Sequence, residues 1–223
     1  MEARLDIEKD EKGKLVDATK FRSLIGSLRY LLHTRPDLSY SVGVISRFMQ
    51  EPKESHLKVL KHILRYVKGT LNFGLKYKRG RISSIVGYSD SSHSTDQSDG
   101  KSTTGMVFYL GDSIVSWNSQ KQKTVSLSSC ESEFMAATAT SCQAIWLRGL
   151  LSEITGSEEK VVLLRVDNRS AIALMKNPVF HGRSKYINTR YHFIRESIER
   201  REVGVEHVSG EEQKANIFDE SVA

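Results

Sequence analysis

Three carboxylates stand at the ends and starts of elements rather than in surface runs: Asp90, Glu131 and Asp167. Asp90 closes the β-like run SSIVGYS and is followed by small polar residues. Asp167 closes the apolar run VVLLRV. Glu131 opens a long helical stretch. In an open α/β sheet, strand ends and helix starts are where side chains from distant sequence converge. Carboxylates gathered at one point cannot all stay ionised without a compensating cation, because like charges a few ångströms apart repel strongly. Hard oxygen ligands favour Mg²⁺, with Mn²⁺ as a substitute. Two such ions about 4 Å apart can activate a water and stabilise the leaving oxygen of a phosphodiester.

Each acid also fits a local role. Turn aspartates such as Asp90 are common. Glu131 follows Ser128 by three residues, the spacing of a capping box. Asp167 can cap the helix that starts near Arg169, although Asn168 is better placed to do so. What favours chemistry is the joint placement of the three in a βββαβα order.

The elements that must position them follow from periodicity. Residues 1–18 read as a flexible lead-in. Residues 19–80 read as a helical module. In FRSLIGSLRYLL, Phe21, Leu24, Ile25 and Leu28 keep helical spacing. A second helix starts near Pro36, runs through SVGVISRFM and stops before Pro52. A third, SHLKVLKHILRYVKG, turns Leu60, Ile63, Leu64 and Val67 inward and Lys58, Lys61, Arg65 and Lys68 outward, with Gly69 as its C-cap. The grammar changes after residue 74. GLKYK, SSIVGYS, TTGMVFYL and SIVSW read as short strands, with a tight hairpin at Gly111-Asp112. A helix over roughly 129–155 ends near Gly156. VVLLRV reads as a doubly covered strand. Two helices, a strand (EVGVEHV) and a short final helix complete residues 81–223, an α/β domain.

Composition fits a globular chain: 223 residues, 39% hydrophobic and 27% charged. No run reaches the roughly 20 apolar residues of a membrane span. Cys130 and Cys142 fall on one helix, too far apart to pair. Together with the lack of a signal-peptide core in the first residues, they point to a reducing, cytoplasmic setting, with the nucleus also compatible. The net charge is +6, and it is unevenly placed. Residues 19–80 hold thirteen Lys/Arg against three acids, and residues 176–201 hold seven against two. Two basic lobes around a slightly acidic centre suit a polyanionic partner.

Three long stretches resemble a known family. YSDSSHSTDQSDGKSTTGMVFYLGDSIVSWNSQKQKTVSLSSCESEF, LRVDNRSAIALMKNPVFHGRSKYINTRYHFIRE and VEHVSGEEQKANIF are similar to the ribonuclease H domain of copia-type (Ty1-like) retrotransposon polyproteins. KFRSLIGSLRYLLHTRPDLSYSVGVISRFMQEPKESHLKVLKHILRYVKGTLNFGLKY resembles the end of the reverse transcriptase before it. The resemblance implies an RNase H-like fold, a five-stranded mixed sheet flanked by helices. It places Asp90 on the S-D-x-x motif, Glu131 on S-S-x-E-x-E and Asp167 on D-N-x-S-A, as catalytic metal ligands. The reaction it implies is Mg²⁺-dependent hydrolysis of RNA within a duplex.

Two departures from the family pattern matter. The usual A-D-x-x-T-K is A-N-I-F-D-E here, so Asn216 replaces a fourth carboxylate. Asp219, one helical turn on, is a partial substitute. The usual H-x-R-x-K-H-I becomes His181, Arg183, Lys185, Tyr186 and Ile187. His181, Arg183, Lys185 and Arg190 join the basic stripe of Lys58, Lys61, Arg65 and Lys68 as candidates for contacting nucleic acid.

No Y-x-D-D polymerase motif, protease or integrase segment is present, so the chain reads as a freestanding piece. It also resembles RNase H-family virus-resistance proteins of plants, which makes double-stranded RNA an alternative to an RNA/DNA hybrid. The two duplexes share A-like geometry. The competing expectation is a duplex-binding protein with weak or no catalysis.

Overall fold

In the computed structural model the described residues are 7, 10–79, 84–93, 96, 99–157, 160–176 and 185–219, with the backbone alone for 185–189 and 191. Helix α1 (Ala18–Leu31) starts because the Asp17 carboxylate accepts from the N–H groups of Thr19 at 2.9 Å and Lys20 at 3.2 Å. It buries Phe21, Ile25 and Leu28, while Leu24 stays at the surface. The second helix is shorter than its sequence pattern predicts. A 3₁₀ turn over Pro36–Leu38 leads into α2 (Ser39–Ile45), and another over Ser46–Phe48 ends it. Ser46 Oγ donates back to Val42 O at 2.6 Å, a bond that competes with helix continuation.

Helix α3 (Glu54–Gly69) buries Leu60 and Ile63, leaves Leu64 and Val67 partly buried, and exposes Lys58, Lys61, Arg65 and Lys68 as a stripe. Gly69 is its last residue rather than its cap, which falls on Thr70. The lead-in is tied down at its end: Leu15 bridges to Lys53, and Val16 N–H donates to Pro52 O at 3.1 Å. The expected freedom of residues 1–18 therefore does not extend to residues 14–17. The strand expected at GLKYK does not form. Residues 73–79 have no ladder partner, and β propensity without a partner makes no strand.

The sheet has five strands in the order β3-β2-β1-β4-β5: β1 (Ile85–Ser92), β2 (Thr103–Leu110), β3 (Ser113–Lys121), β4 (Val162–Val166) and β5 (Val203–His207). The first three pair antiparallel, while β1–β4 and β4–β5 are parallel. This is the RNase H-like mixed sheet that the resemblance implies. Helices α4 (Ser129–Thr155), α5 (Arg169–Lys176) and α6 (Lys185–Glu199) contribute to one core with Phe108, Phe134, Leu164 and Ile194. Gly156, at φ +63°, closes α4 in the left-handed conformation that suits glycine. A smaller core around Tyr88, Val107 and Phe218 lies under the short α7 (Asn216–Asp219). Cys130 and Cys142, both on α4, are free thiols.

Helices α1–α3 keep a separate core around Phe21, Ile25, Leu60 and Ile63. They are nevertheless joined to the sheet. Helix α2 lies against β3 and α7. Trp117 Nε1 on β3 donates to Leu32 O at 3.1 Å. Arg47 pairs with Asp96 at 2.8 Å and donates to Thr103 Oγ1 at 3.2 Å. No described helix is long and apolar enough to cross a membrane.

Candidate active site

Strands β1 and β4 are adjacent and parallel, so their C-terminal ends lie side by side. Asp90 sits near the end of β1 and is 8% exposed. Asp167 follows the last residue of β4 and is half-buried. Helix α4 crosses behind them and supplies a third carboxylate. That residue is Glu133, not Glu131. Oxygens of Asp90, Glu133 and Asp167 lie within 4.8 Å of one another.

The assignment of Glu131 is therefore corrected. Residues two positions apart on a helix point about 200° from one another, so only one of the pair can face the strand ends. Glu131 caps the helix instead: its N–H donates to Ser128 Oγ at 3.2 Å, as its spacing predicts, while its Oε2 accepts from Leu127 N–H at 2.8 Å, one residue before the cap. Glu133 instead heads the stripe of Ala137, Thr140 and Ala144, each fully buried. Helical spacing does not separate the pair, since Met135 and Thr138 follow Glu131 as Ala137 and Thr140 follow Glu133, and all four are buried.

The main-chain N–H of Ser91 is shared between Asp90 and Glu133, the two buried acids of the cluster. It donates to Asp90 Oδ1 at 2.8 Å and to Glu133 Oε1 at 3.0 Å. Glu133 Oε2 is buried and has no hydrogen-bond partner among the described residues. Burial, and then the negative charge of Asp90 and Asp167, pushes the Glu133 carboxyl up to about 10. Burial also raises the Asp167 carboxyl. The uncompensated cluster thus holds a proton at neutral pH.

Asn216 completes the wall. With its amide oriented to suit its neighbours, Nδ2 donates to Asp90 Oδ2 at 2.7 Å and to Gln213 O at 3.1 Å. Asp219 is buried and lines the same cavity of about 540 Å³, with Ser129, Asn168 and Arg169. It stands outside the 4.8 Å cluster. Asn168 Oδ1 caps α5 by accepting from Ala171 N–H at 3.0 Å, which leaves Asp167 to the cavity. Helix α7 comes this close because Gly105 is the β2 partner of Asp90. A Cβ at Gly105 would lie 2.7 Å from Ala215 O.

Two buried glutamines that sequence reasoning missed brace the site. Gln122 Nε2 faces Ser91 Oγ at 3.0 Å, Thr104 Oγ1 at 3.1 Å and Ser132 O at 3.0 Å, so it joins β1, β2 and α4 next to Asp90 and Glu133. Gln213 Nε2 donates to Ser89 O at 2.9 Å and ties the segment before Asn216 to β1.

The basic candidates separate. His181 and Arg183 lie outside the described residues, and Lys185 begins α6 without a described side chain. Arg190 is half-buried on α6. Lys58, Lys61, Arg65 and Lys68 do not line the carboxylate cavity.

No family model matches the chain. It is similar to the retrovirus-related Pol polyprotein from transposon RE1 of Arabidopsis thaliana, 43% identical over 203 residues, which is 91% of this chain and 14% of that protein. It is also similar to the corresponding polyprotein from transposon TNT 1-94 of Nicotiana tabacum, 38% identical over 210 residues, 94% of this chain and 16% of that protein. The chain thus spans about one-seventh of the length of these relatives. Among solved structures, the foamy viral protease-reverse transcriptase in complex with dsDNA shares the fold over 92% of this chain and 40% of its own, at a TM-score of 0.52 and 12% identity.

Proposed function

We propose that the chain, which is similar to retrovirus-related Pol polyproteins of plant transposons, is a metal-dependent RNase H-like nuclease acting on RNA within a duplex. The observation that carries this reading is the convergence of Asp90, Glu133 and Asp167 within 4.8 Å. The donor set fits a hard divalent cation: three carboxylates, one buried oxygen of Glu133 without a partner, and a Glu133 proton that a cation would displace. Asp90, Glu133 and Asp167 would hold Mg²⁺ or Mn²⁺, in one or two ions. The bound cation would supply Lewis acidity toward the phosphate and a more acidic water.

The chain's own groups do the rest. Ser91 N–H fixes the Asp90 and Glu133 carboxylates relative to one another. The Asn216 amide holds Asp90 from the opposite side. The cavity opens at the strand ends, where a duplex backbone can reach the carboxylates. The exposed stripe of Lys58, Lys61, Arg65 and Lys68 offers phosphates a second contact. RNA/DNA hybrid and double-stranded RNA share the A-like shape such contacts read, and the latter would suit a role in antiviral defence in a plant.

A second reading, a duplex-binding protein of little or no activity, is favoured by one observation: Asn216 presents a neutral amide to Asp90 where the resembling family has an acid. Labelled hybrid and double-stranded RNA, each with Mg²⁺, Mn²⁺ or EDTA, separate the two. The nuclease reading expects cation-dependent cleavage that falls at least roughly 100-fold in Asp167→Asn, with duplex binding in EDTA unchanged. Cleavage that persists in EDTA or in Asp167→Asn would overturn it. Tight binding without cleavage would establish the second reading.

A further inference from the structure

A second concave surface lies away from the carboxylates. An open groove of about 1040 Å³ runs between α1 and α2 on one wall and the edge strand β3 on the other. It shares no lining residue with the carboxylate cavity. No aspartate or glutamate lines it, whereas Arg29, His33 and Arg47 do. Its helical wall belongs to the segment in which basic residues outnumber acidic ones thirteen to three. Two aromatic rings project from it into solvent: Tyr30 is 81% exposed and Tyr77 is 62% exposed. His33 lies beside Tyr30 in a T-shaped arrangement, with ring centres 6.1 Å apart, and the tyrosine still keeps most of its surface in solvent. Single exposed aromatics are ordinary. Two on one groove, in a basic and acid-free setting, match the combination that holds unpaired nucleic acid: aromatic faces for bases and positive charge for the backbone.

We propose that this groove binds a single-stranded segment of nucleic acid, with bases stacked on Tyr30 and Tyr77 and phosphates beside Arg29. An extended peptide is the rival occupant, because β3 is the last strand on its side of the sheet. The absence of acids and the two bare rings favour the nucleic acid. Placement adds a consequence that rests on the nuclease reading, although binding itself does not. Arg47 lines the groove and pairs at 2.8 Å with Asp96, three residues beyond His93 at the rim of the carboxylate cavity. A strand leaving a duplex at the carboxylates therefore has a neighbouring channel in which to lie.

The test measures fluorescence anisotropy of a labelled twelve-residue oligothymidylate with the full chain in EDTA. Wild type is expected to bind, with affinity falling as salt rises. Tyr30→Ala and Tyr77→Ala are each expected to weaken binding roughly tenfold. Arg29→Glu is expected to weaken it further, and Asp167→Asn to leave it unchanged. Thermal melting checks that the exposed substitutions leave the fold intact. Any of these results overturns the proposal: no binding by wild type; tyrosine variants that bind as wild type does; or displacement by polyglutamate as readily as by unlabelled oligothymidylate. Loss of binding in Lys58→Ala/Lys61→Ala with no effect of the tyrosines would assign the contact to α3 and overturn it equally. Because Asp167→Asn serves as a control, failure of cleavage and failure of this groove are read separately.

Discussion

Ser91 donates its main-chain N–H to Glu133 Oε1 at 3.0 Å, across 42 residues of sequence. The same N–H reaches Asp90 Oδ1 at 2.8 Å, so one backbone donor sets the spacing of two acids. A backbone group cannot rotate away as a side chain can. The pair is therefore held together before any cation arrives, despite its mutual repulsion.

Exchanging the two helical glutamates one at a time separates their roles. Glu133→Gln is expected to reduce cleavage at least roughly 100-fold with little loss of stability. Glu131→Gln is expected to keep most of the activity and to cost about 0.5–1 kcal/mol through its weakened cap. Rates on a labelled hybrid and urea melts check both. Equal rates in the two variants would sink the assignment of Glu133.

The proton on Glu133 makes metal-free stability depend on pH. An unperturbed glutamate carboxyl titrates at 4.5, and the fold raises this one to about 10. Between those values folding takes up a proton, so stability is greatest at the acid end and declines as pH rises. The slope from this one group is at most about 1.4 kcal/mol per pH unit. Melts in EDTA from pH 5 to 9 should show the decline, and Glu133→Gln should flatten it. A variant whose melting temperature tracks wild type at every pH would refute this account.

Asn216→Asp tests the neutral amide. A carboxylate there replaces a donor 2.7 Å from Asp90 Oδ2 with a like charge. In EDTA the variant should lose about 1–3 kcal/mol, the cost of a broken buried hydrogen bond. With Mg²⁺ it should gain more melting temperature than wild type does, because the cation then answers an added charge. Identical Mg²⁺-induced shifts in the two proteins would show that position 216 does not sense the cation.

Gln122→Leu tests the brace behind the acids. Ser91 and Thr104 can re-aim their hydroxyls, but Ser132 O loses its side-chain donor. A loss of about 1–3 kcal/mol is expected. If Gln122 also positions Asp90 and Glu133, the Mn²⁺ concentration that half-saturates the protein, read by calorimetry, should rise roughly tenfold or more. Lower stability with unchanged Mn²⁺ affinity would leave Gln122 a structural residue only.

Asp90 and Asp167 were legible because strand-end acids announce themselves against the apolar residues before them. The order of elements after residue 81 was legible for the same reason, since each run is short and bounded by turn residues. The choice between Glu131 and Glu133 was harder. Helix α4 is small and apolar on most sides in its first half, so no polar face marks its phase. GLKYK misled because strand propensity says nothing about whether a partner edge exists. Gln122 and Arg47 were invisible for a different reason. Their partners lie 10 to 31 and 49 to 56 residues away, and nothing local records such pairings.

Trp117 gives its indole N–H to Leu32 O on the far side of the boundary between helices and sheet. A shortened chain beginning near residue 80 would keep every carboxylate of the cavity, yet it would lose that acceptor and the helical wall beside β3. An uncovered edge strand carrying a bared tryptophan is a template for aggregation. The helices then act as a solubility shield for the sheet as much as a binding surface, and excising the sheet half alone trades the problem of activity for one of self-association.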